Sequence, residues 1–268
     1  VSTATATNPG SVKTEASTSD RARPVGGHTH FLIRRLHSLT GLVFGGYMVI
    51  HLLVNASLVE GARVAGEPSV FQLQVDKIHS LPFLPVVEWA FIYLPIIYHT
   101  LYGLVITFTG QPNALSYPYA KNWYYFFQRV SAIVIALFIA FHVLSMKGVF
   151  GGDLGRKLSF DPVHATQSTV IHMHAAWWIG YIVYPVGILA SCYHLANGFW
   201  TAAITWGLTV SKASQRRWGY ACTGLFLLTF TCGILALVSA LRQSVPEGSA
   251  TATALAQATN AGALSLPR

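Results

Sequence analysis

Four histidines lie deep inside four different apolar stretches of the chain: His51, His99, His142 and His194. An ionisable ring in a hydrocarbon environment is expensive, faces a bundle interior and marks a functional site by default. Imidazole is also an axial ligand of haem iron. Four such rings, one per stretch, are what two six-coordinate haems need. The rival chemistry is a haem-free proton relay of the kind used by transporters. A single buried histidine is also explained by a hydrogen bond to a neighbouring helix.

The elements that must position these rings are membrane helices. The 268 residues are 53% hydrophobic and 10% charged, against about 25% charged in soluble domains. Five stretches meet the spanning criterion of roughly 20 mostly apolar residues: 36–58, 83–108, 130–146, 175–204 and 220–241. The third is the shortest, and residues 123–127 extend it. The expected fold is all-α, an integral membrane bundle of five transmembrane helices. Residues 1–30 are Ser/Thr/Ala-rich with no apolar core before Phe31, unlike a cleaved signal peptide, so the first span reads as a retained helix and 1–30 as a cytoplasmic tail. Residues 31–242 form the membrane domain, and the low-complexity stretch 243–268 is a second tail.

The net charge of +8 does not point to nucleic acid, because the basic residues cluster at helix ends. Ten of them, Arg34, Arg35, Lys121 and Arg129 included, share one side of a five-span topology with only two acids, Glu15 and Asp20. The positive-inside rule places that side, and the N-terminus, in the cytoplasm and the C-terminus outside. Cys192, Cys222 and Cys232 all fall in apolar spans, where cysteine behaves as a small buried hydrophobe. With no CxxCH and no set of four cysteines, covalent haem and iron–sulfur clusters are not encoded here.

Topology sorts the four rings by depth. At ~1.5 Å per residue, His51 lies about 24 Å beyond Arg35, and His142 about 20 Å beyond Arg129, both toward the outer face. His99 and His194 fall about 14–15 Å before the inner ends of descending spans. Two stacked haems follow, an outer one on His51 and His142 and an inner one on His99 and His194. Tyr98-His99 and Tyr193-His194 each carry a glycine one turn on, Gly103 and Gly198, whose bare backbone admits a flat porphyrin. Gly41, Gly45 and Gly46 in the first span serve close helix packing or the same purpose.

His37 precedes His51 by 14 residues on nearly the same face, but the equivalent position before His142 is Gln128. It therefore reads as an interfacial residue and a candidate for an inner-haem propionate, with axial ligation as the alternative. Arg35 and Arg129, at inner helix ends, are further propionate candidates, with plain positive-inside anchoring as the alternative. His172, 22 residues before His194, stands nearly in line with it at the outer mouth of the fourth span. His28, His30 and His164 read as solvated or partner-facing, and His174 is undecided.

Several ordered runs resemble one family. They are Arg34-Arg35-Leu36-His37-Ser38-Leu39-Thr40-Gly41, Ile50-His51-Leu52-Leu53-Val54-Asn55, Ser80-Leu81-Pro82-Phe83, Leu94-Pro95-Ile96-Ile97-Tyr98-His99, Gln128-Arg129-Val130 and His194-Leu195-Ala196-Asn197-Gly198-Phe199-Trp200. The chain is similar, over about residues 30 to 242, to the cytochrome b subunit of succinate dehydrogenases and fumarate reductases. The match is to the five-helix, dihaem branch. That resemblance implies a membrane anchor for a flavoprotein and an iron–sulfur protein, with FAD and the clusters held by those partners and no dicarboxylate site in this chain. It implies two b haems on the same four histidines, and electrons passing from inner to outer haem and on to a quinone, typically menaquinone. Some relatives carry a glutamate two residues before the fourth ligand as a proton path; here that position is Cys192.

Quinone chemistry moves protons, so a titratable group should lie beside the quinone. Glu88, 11 residues before His99 toward the outside, and His79, at the mouth, are the candidates; a carboxylate or imidazole merely solvated at the interface is the bland alternative. A dihaem anchor of a hydrogenase or formate dehydrogenase would share the pattern.

Overall fold

A computed structural model describes residues 27–61, 67–110 and 115–244, with side chains from Phe31 onward. Both expected tails, 1–30 and 243–268, fall almost wholly outside the described residues. Among the described residues there are nine α-helices and no β-strand. They are α1 (Gly27–Ala56), α2 (Val70–His79), α3 (Leu84–Glu88), α4 (Leu94–Thr109), α5 (Ala120–Met146), α6 (Gly152–Leu158), α7 (Ala165–His174), α8 (Tyr184–Thr205) and α9 (Lys212–Arg242). Five stretches are long and apolar enough to cross a membrane: Phe31–Val59, Leu84–Thr109, Ala120–Met146, Ile179–Thr205 and Lys212–Arg242. The third span starts ten residues before the apolar core suggests, because its aromatic run from Trp123 to Phe127 stays helical.

Two of the spans contain a π-turn, and each turn stands directly before a proline. Trp89–Tyr93 joins α3 to α4 ahead of Pro95, and Ile179–Val183 leads into α8 ahead of Pro185. Proline lacks an N–H and crowds the carbonyl one turn back, and a locally widened turn accommodates both. The backbone N–H of Tyr184 closes the second π-turn on the carbonyl of Ile179. The last span begins with a reciprocal capping box between Ser211 and Ser214, which fixes its start beside Lys212.

The spans form a closed ring. Helix α1 packs on α4 and α9, α8 packs on α5 and α9, and α4 packs on α5. Within the ring α1, α4, α5 and α8 make a four-helix bundle, with α1 and α8 also touching. Consecutive spans alternate in direction, so diagonal partners run parallel: α1 with α5, and α4 with α8. A histidine at equal depth on parallel diagonal helices therefore meets its counterpart on the bundle axis, where such bundles build ligand sites.

A buried cluster lies at the end of the bundle where α1 and α5 finish. There α2, α6 and α7 cap the spans, and Phe71, Leu158, Ile179, Tyr184 and Leu237 belong to one buried cluster. Gln72 on α2 latches the cap: its amide donates to the carbonyl of Pro162 and its oxygen accepts from the backbone of Ala165 at 2.7 Å. Elsewhere the outward faces carry exposed Leu101, Phe108 and Leu137, as helices bathed in lipid require.

Candidate functional site

The structure brings the four deep histidines together in two pairs. The rings of His51 on α1 and His142 on α5 have centroids 6.0 Å apart at 74°. The rings of His99 on α4 and His194 on α8 are 6.2 Å apart at 89°. Each pair bridges a diagonal of the bundle. Two imidazoles on opposite sides of one metal, with bonds of about 2.0–2.1 Å as imidazole makes to zinc, place their ring centres roughly 6 Å apart. Both pairs have that spacing. Among the described residues no cluster of three or more His, Cys, Asp or Glu side chains is set up for a metal ion.

Three of the rings are held through Nδ1. His99 Nδ1 donates to the carbonyl of His37 at 3.0 Å, and His194 Nδ1 donates to the carbonyl of Gln128 at 3.2 Å, with Ser131 Oγ equally near. His142 Nδ1 bonds the hydroxyl of Tyr184 at 2.9 Å. A carbonyl only accepts, so the proton of His99 and of His194 sits on Nδ1 and leaves the lone pair on Nε2. Metal-binding histidines are oriented in this way by their second nitrogen. Among the described residues, Nε2 of His99, His142 and His194 makes no hydrogen bond. His51 is held more loosely, with the Asn55 amide 3.4 and 3.5 Å from its ring nitrogens.

Glycine decides how the inner pair sits. A Cβ on Gly41 would lie 2.4 Å from His99 Cε1, so the α1 backbone is the floor on which that ring rests. Gly103, one turn after His99, faces His37 at 3.2 Å, and Gly198 faces only the Gln128 amide at 3.6 Å.

His37 is not detached at the interface. Its ring stacks on His99 with centroids 4.1 Å apart and 9° between planes, and its Nδ1 is buried without a partner. Arg129 likewise has a buried, unpartnered Nη1, while Nη2 donates to the carbonyl of Ile106 and the guanidinium lies 4.2 Å over Tyr125. Two orphaned buried nitrogens, one on the ring stacked against His99 and one on the residue that follows Gln128 in α5, fit an anionic group such as a propionate. Arg35 is engaged elsewhere: it donates to the carbonyl of Thr205 and sits over the rings of Phe31 and Trp206. Glu88 ends α3, half-buried, just before the first π-turn, and exposed His79 ends α2 with Nδ1 on the carbonyl of Val75. His164 pairs with Asp161 at 2.8 Å, and His174 bonds the carbonyl of Val170. The side chains of His28 and His30 lie outside the described residues.

No family model matches the chain. It is 34% identical over 212 residues to the succinate dehydrogenase cytochrome b558 subunit of Bacillus subtilis strain 168, covering 79% of this chain and 97% of that protein. The chain belongs to the succinate dehydrogenase cytochrome b subunits. Its expected all-α, five-span architecture is the one observed. As a member of that family it is a membrane anchor of a respiratory complex. Sequence reading of this cytochrome b subunit missed Tyr184, Ser131 and the carbonyl role of Gln128. These act on histidines 42 or more residues away in sequence, across helix pairs that no local pattern links.

Proposed function

We propose that this cytochrome b subunit carries electrons from a partner iron–sulfur protein through two bis-histidine b haems to a quinone, most simply menaquinone. The observation that carries the reading is the pair of diagonal histidine couples, 6.0 and 6.2 Å between ring centres. Bound there between two imidazoles, a haem would supply reversible one-electron transfer and would offer no open site for oxygen or substrate.

The chain's own residues divide the remaining work. His51 and His142 hold the outer group; His99 and His194 hold the inner one. The backbone of Gly41 seats His99, and the carbonyls of His37 and Gln128 keep the Nε2 lone pairs of the inner couple free. His37 Nδ1 and Arg129 Nη1, both without a protein partner, would meet the inner propionates, and Arg35 anchors the helix end. Glu88 and His79, toward the outer face, exchange protons with the quinone. The flavoprotein, which holds FAD, and the iron–sulfur protein dock on the cytoplasmic side, as the name of the Bacillus relative suits. Lys121, Lys212 and Arg216 rim a cavity of about 870 Å³ at that end and give the docking face positive charge. The protein is then a multi-pass protein of the cytoplasmic membrane with its N-terminus inside.

The test is haem stoichiometry in the purified complex. Two haems b per chain are expected. His51→Ala or His142→Ala should remove one set of reduced-minus-oxidised bands, and His99→Ala or His194→Ala the other. A complex with one haem or none, or loss of the same band by variants of both couples, refutes the assignment.

A further inference from the structure

One run of buried hydrogen bonds leaves the outer couple and ends on the capping helix α6. His142 Nδ1 lies 2.9 Å from Tyr184 Oη, Tyr184 Oη lies 2.9 Å from His172 Nε2, and His172 Nδ1 lies 2.7 Å from the carbonyl oxygen of Leu158. Tyr184 is 6% exposed and His172 fully buried, so water does not compete for these groups. The run links α5 to the start of α8, then to α7, then to the end of α6.

Its proton order can be read from one end. The Leu158 carbonyl can only accept, so His172 carries its proton on Nδ1 and, when neutral, offers a lone pair at Nε2. The single hydroxyl proton of Tyr184 then points to His172. The Tyr184 oxygen is left to accept from His142 Nδ1–H, and His142 keeps its lone pair on Nε2. Burial keeps His172 neutral by lowering its pKa. A protonated His172 would also place two donors on the Tyr184 oxygen and strand the hydroxyl proton.

The other deep histidines are held differently. His99 and His194 lean on main-chain carbonyls, and His51 has a distant amide. His142 alone of the four leans on a side chain that is itself held by a second buried imidazole, and Tyr184 directly follows the second π-turn, which sets its register on α8. An acceptor on the second nitrogen raises the basicity of a ligating imidazole and favours the oxidised metal.

We propose that Tyr184 and His172 are positioning residues for the outer haem: a relay that fixes the tautomer and orientation of His142 and lowers that haem's reduction potential. The proposal rests on His142 being an axial ligand. It assigns a role to His172, which lies outside the spanning helices and touches no haem ligand directly.

The experiment is a potentiometric titration of both haems in the intact complex, for wild type, Tyr184→Phe, His172→Ala and His172→Gln, beside His142→Ala. Tyr184→Phe keeps the ring in the core and should raise the reduced-to-oxidised ratio of the outer haem about tenfold at fixed potential, a shift of ~59 mV for one electron. His172→Ala should shift it the same way by a smaller factor. His172→Gln should restore the wild-type value, because its amide can donate to the Leu158 carbonyl and its oxygen accept from Tyr184. The inner haem should not move. Outer potentials unchanged in both Tyr184→Phe and His172→Ala overturn the relay, and a Gln variant that shifts like Ala removes His172 from it. Retention of both haems in His142→Ala overturns the ligand assignment itself, which separates the two failures.

Discussion

His37 and His99 lie face to face on adjacent helices, their rings 4.1 Å apart and 9° from parallel, while the main-chain carbonyl of His37 accepts a hydrogen bond from His99 Nδ1. One residue of α1 therefore holds the inner histidine of α4 twice, by ring contact and by backbone. Gly41, one turn on, completes the seat.

That seat predicts the effect of Gly41→Ala. The added methyl would lie 2.4 Å from His99 Cε1, so the ring or the helix must shift. Overpacking of this kind costs about 1–3 kcal/mol. Haem content by pyridine haemochrome should fall toward one per complex, with the inner bands lost and the outer bands kept. Full retention of both would show that His99 can move without leaving iron.

Arg129 gives a second expectation. Its unpartnered, buried Nη1 is a cationic donor in the helix turn that also carries Gln128 and Ser131, the partners of His194. Removing the positive charge with Arg129→Leu should make the inner haem harder to reduce, by roughly 59 mV for a tenfold change in its reduced fraction. Arg129→Lys should recover part of the shift, and redox titration reads both.

Glu88 stands at the junction of α3 and the first π-turn. If it exchanges protons with quinone, Glu88→Gln should slow quinone turnover about 10²-fold, with both haem spectra intact. Unaltered turnover assigns Glu88 to the solvated interface.

His172 should also set a pH dependence of stability. Burial lowers its pKa in the folded chain, while the Leu158 hydrogen bond opposes this more weakly. The unfolded chain keeps an ordinary value near ~6.5 and binds more protons below it, so folded-state stability falls as pH drops below about 6.5, and is level above. The thermal midpoint of wild type should therefore decline between pH 7.5 and 5 more steeply than that of His172→Gln. Parallel curves would exclude the buried neutral imidazole as the cause.

Much of the architecture was legible in the residues. Twenty-residue apolar stretches must be helices, because lipid leaves no other partner for backbone N–H and C=O groups, and four deep imidazoles ask for a reason to be there. Depth along alternating spans also grouped His51 with His142 and His99 with His194, since position on a straight helix is linear in residue number. The sites' finer construction was not legible. His37 read as an interfacial residue, yet it stacks on His99, because the rotation of α1 against α4 is decided by which side chains pack between them. The reading of residues 1–30 and 243–268 as tails concerns residues that are almost all outside the described structure.

By itself, then, the sequence determined the helices, their alternation and the depth of each imidazole, all of which depend on local composition and length. Only the tertiary structure decided that α1 faces α5 and α4 faces α8, and that Tyr184 reaches both His142 and His172. Those relationships join groups 12 to 42 residues apart through the packing of separate helices, and directional hydrogen bonds form only after that packing has set the distances.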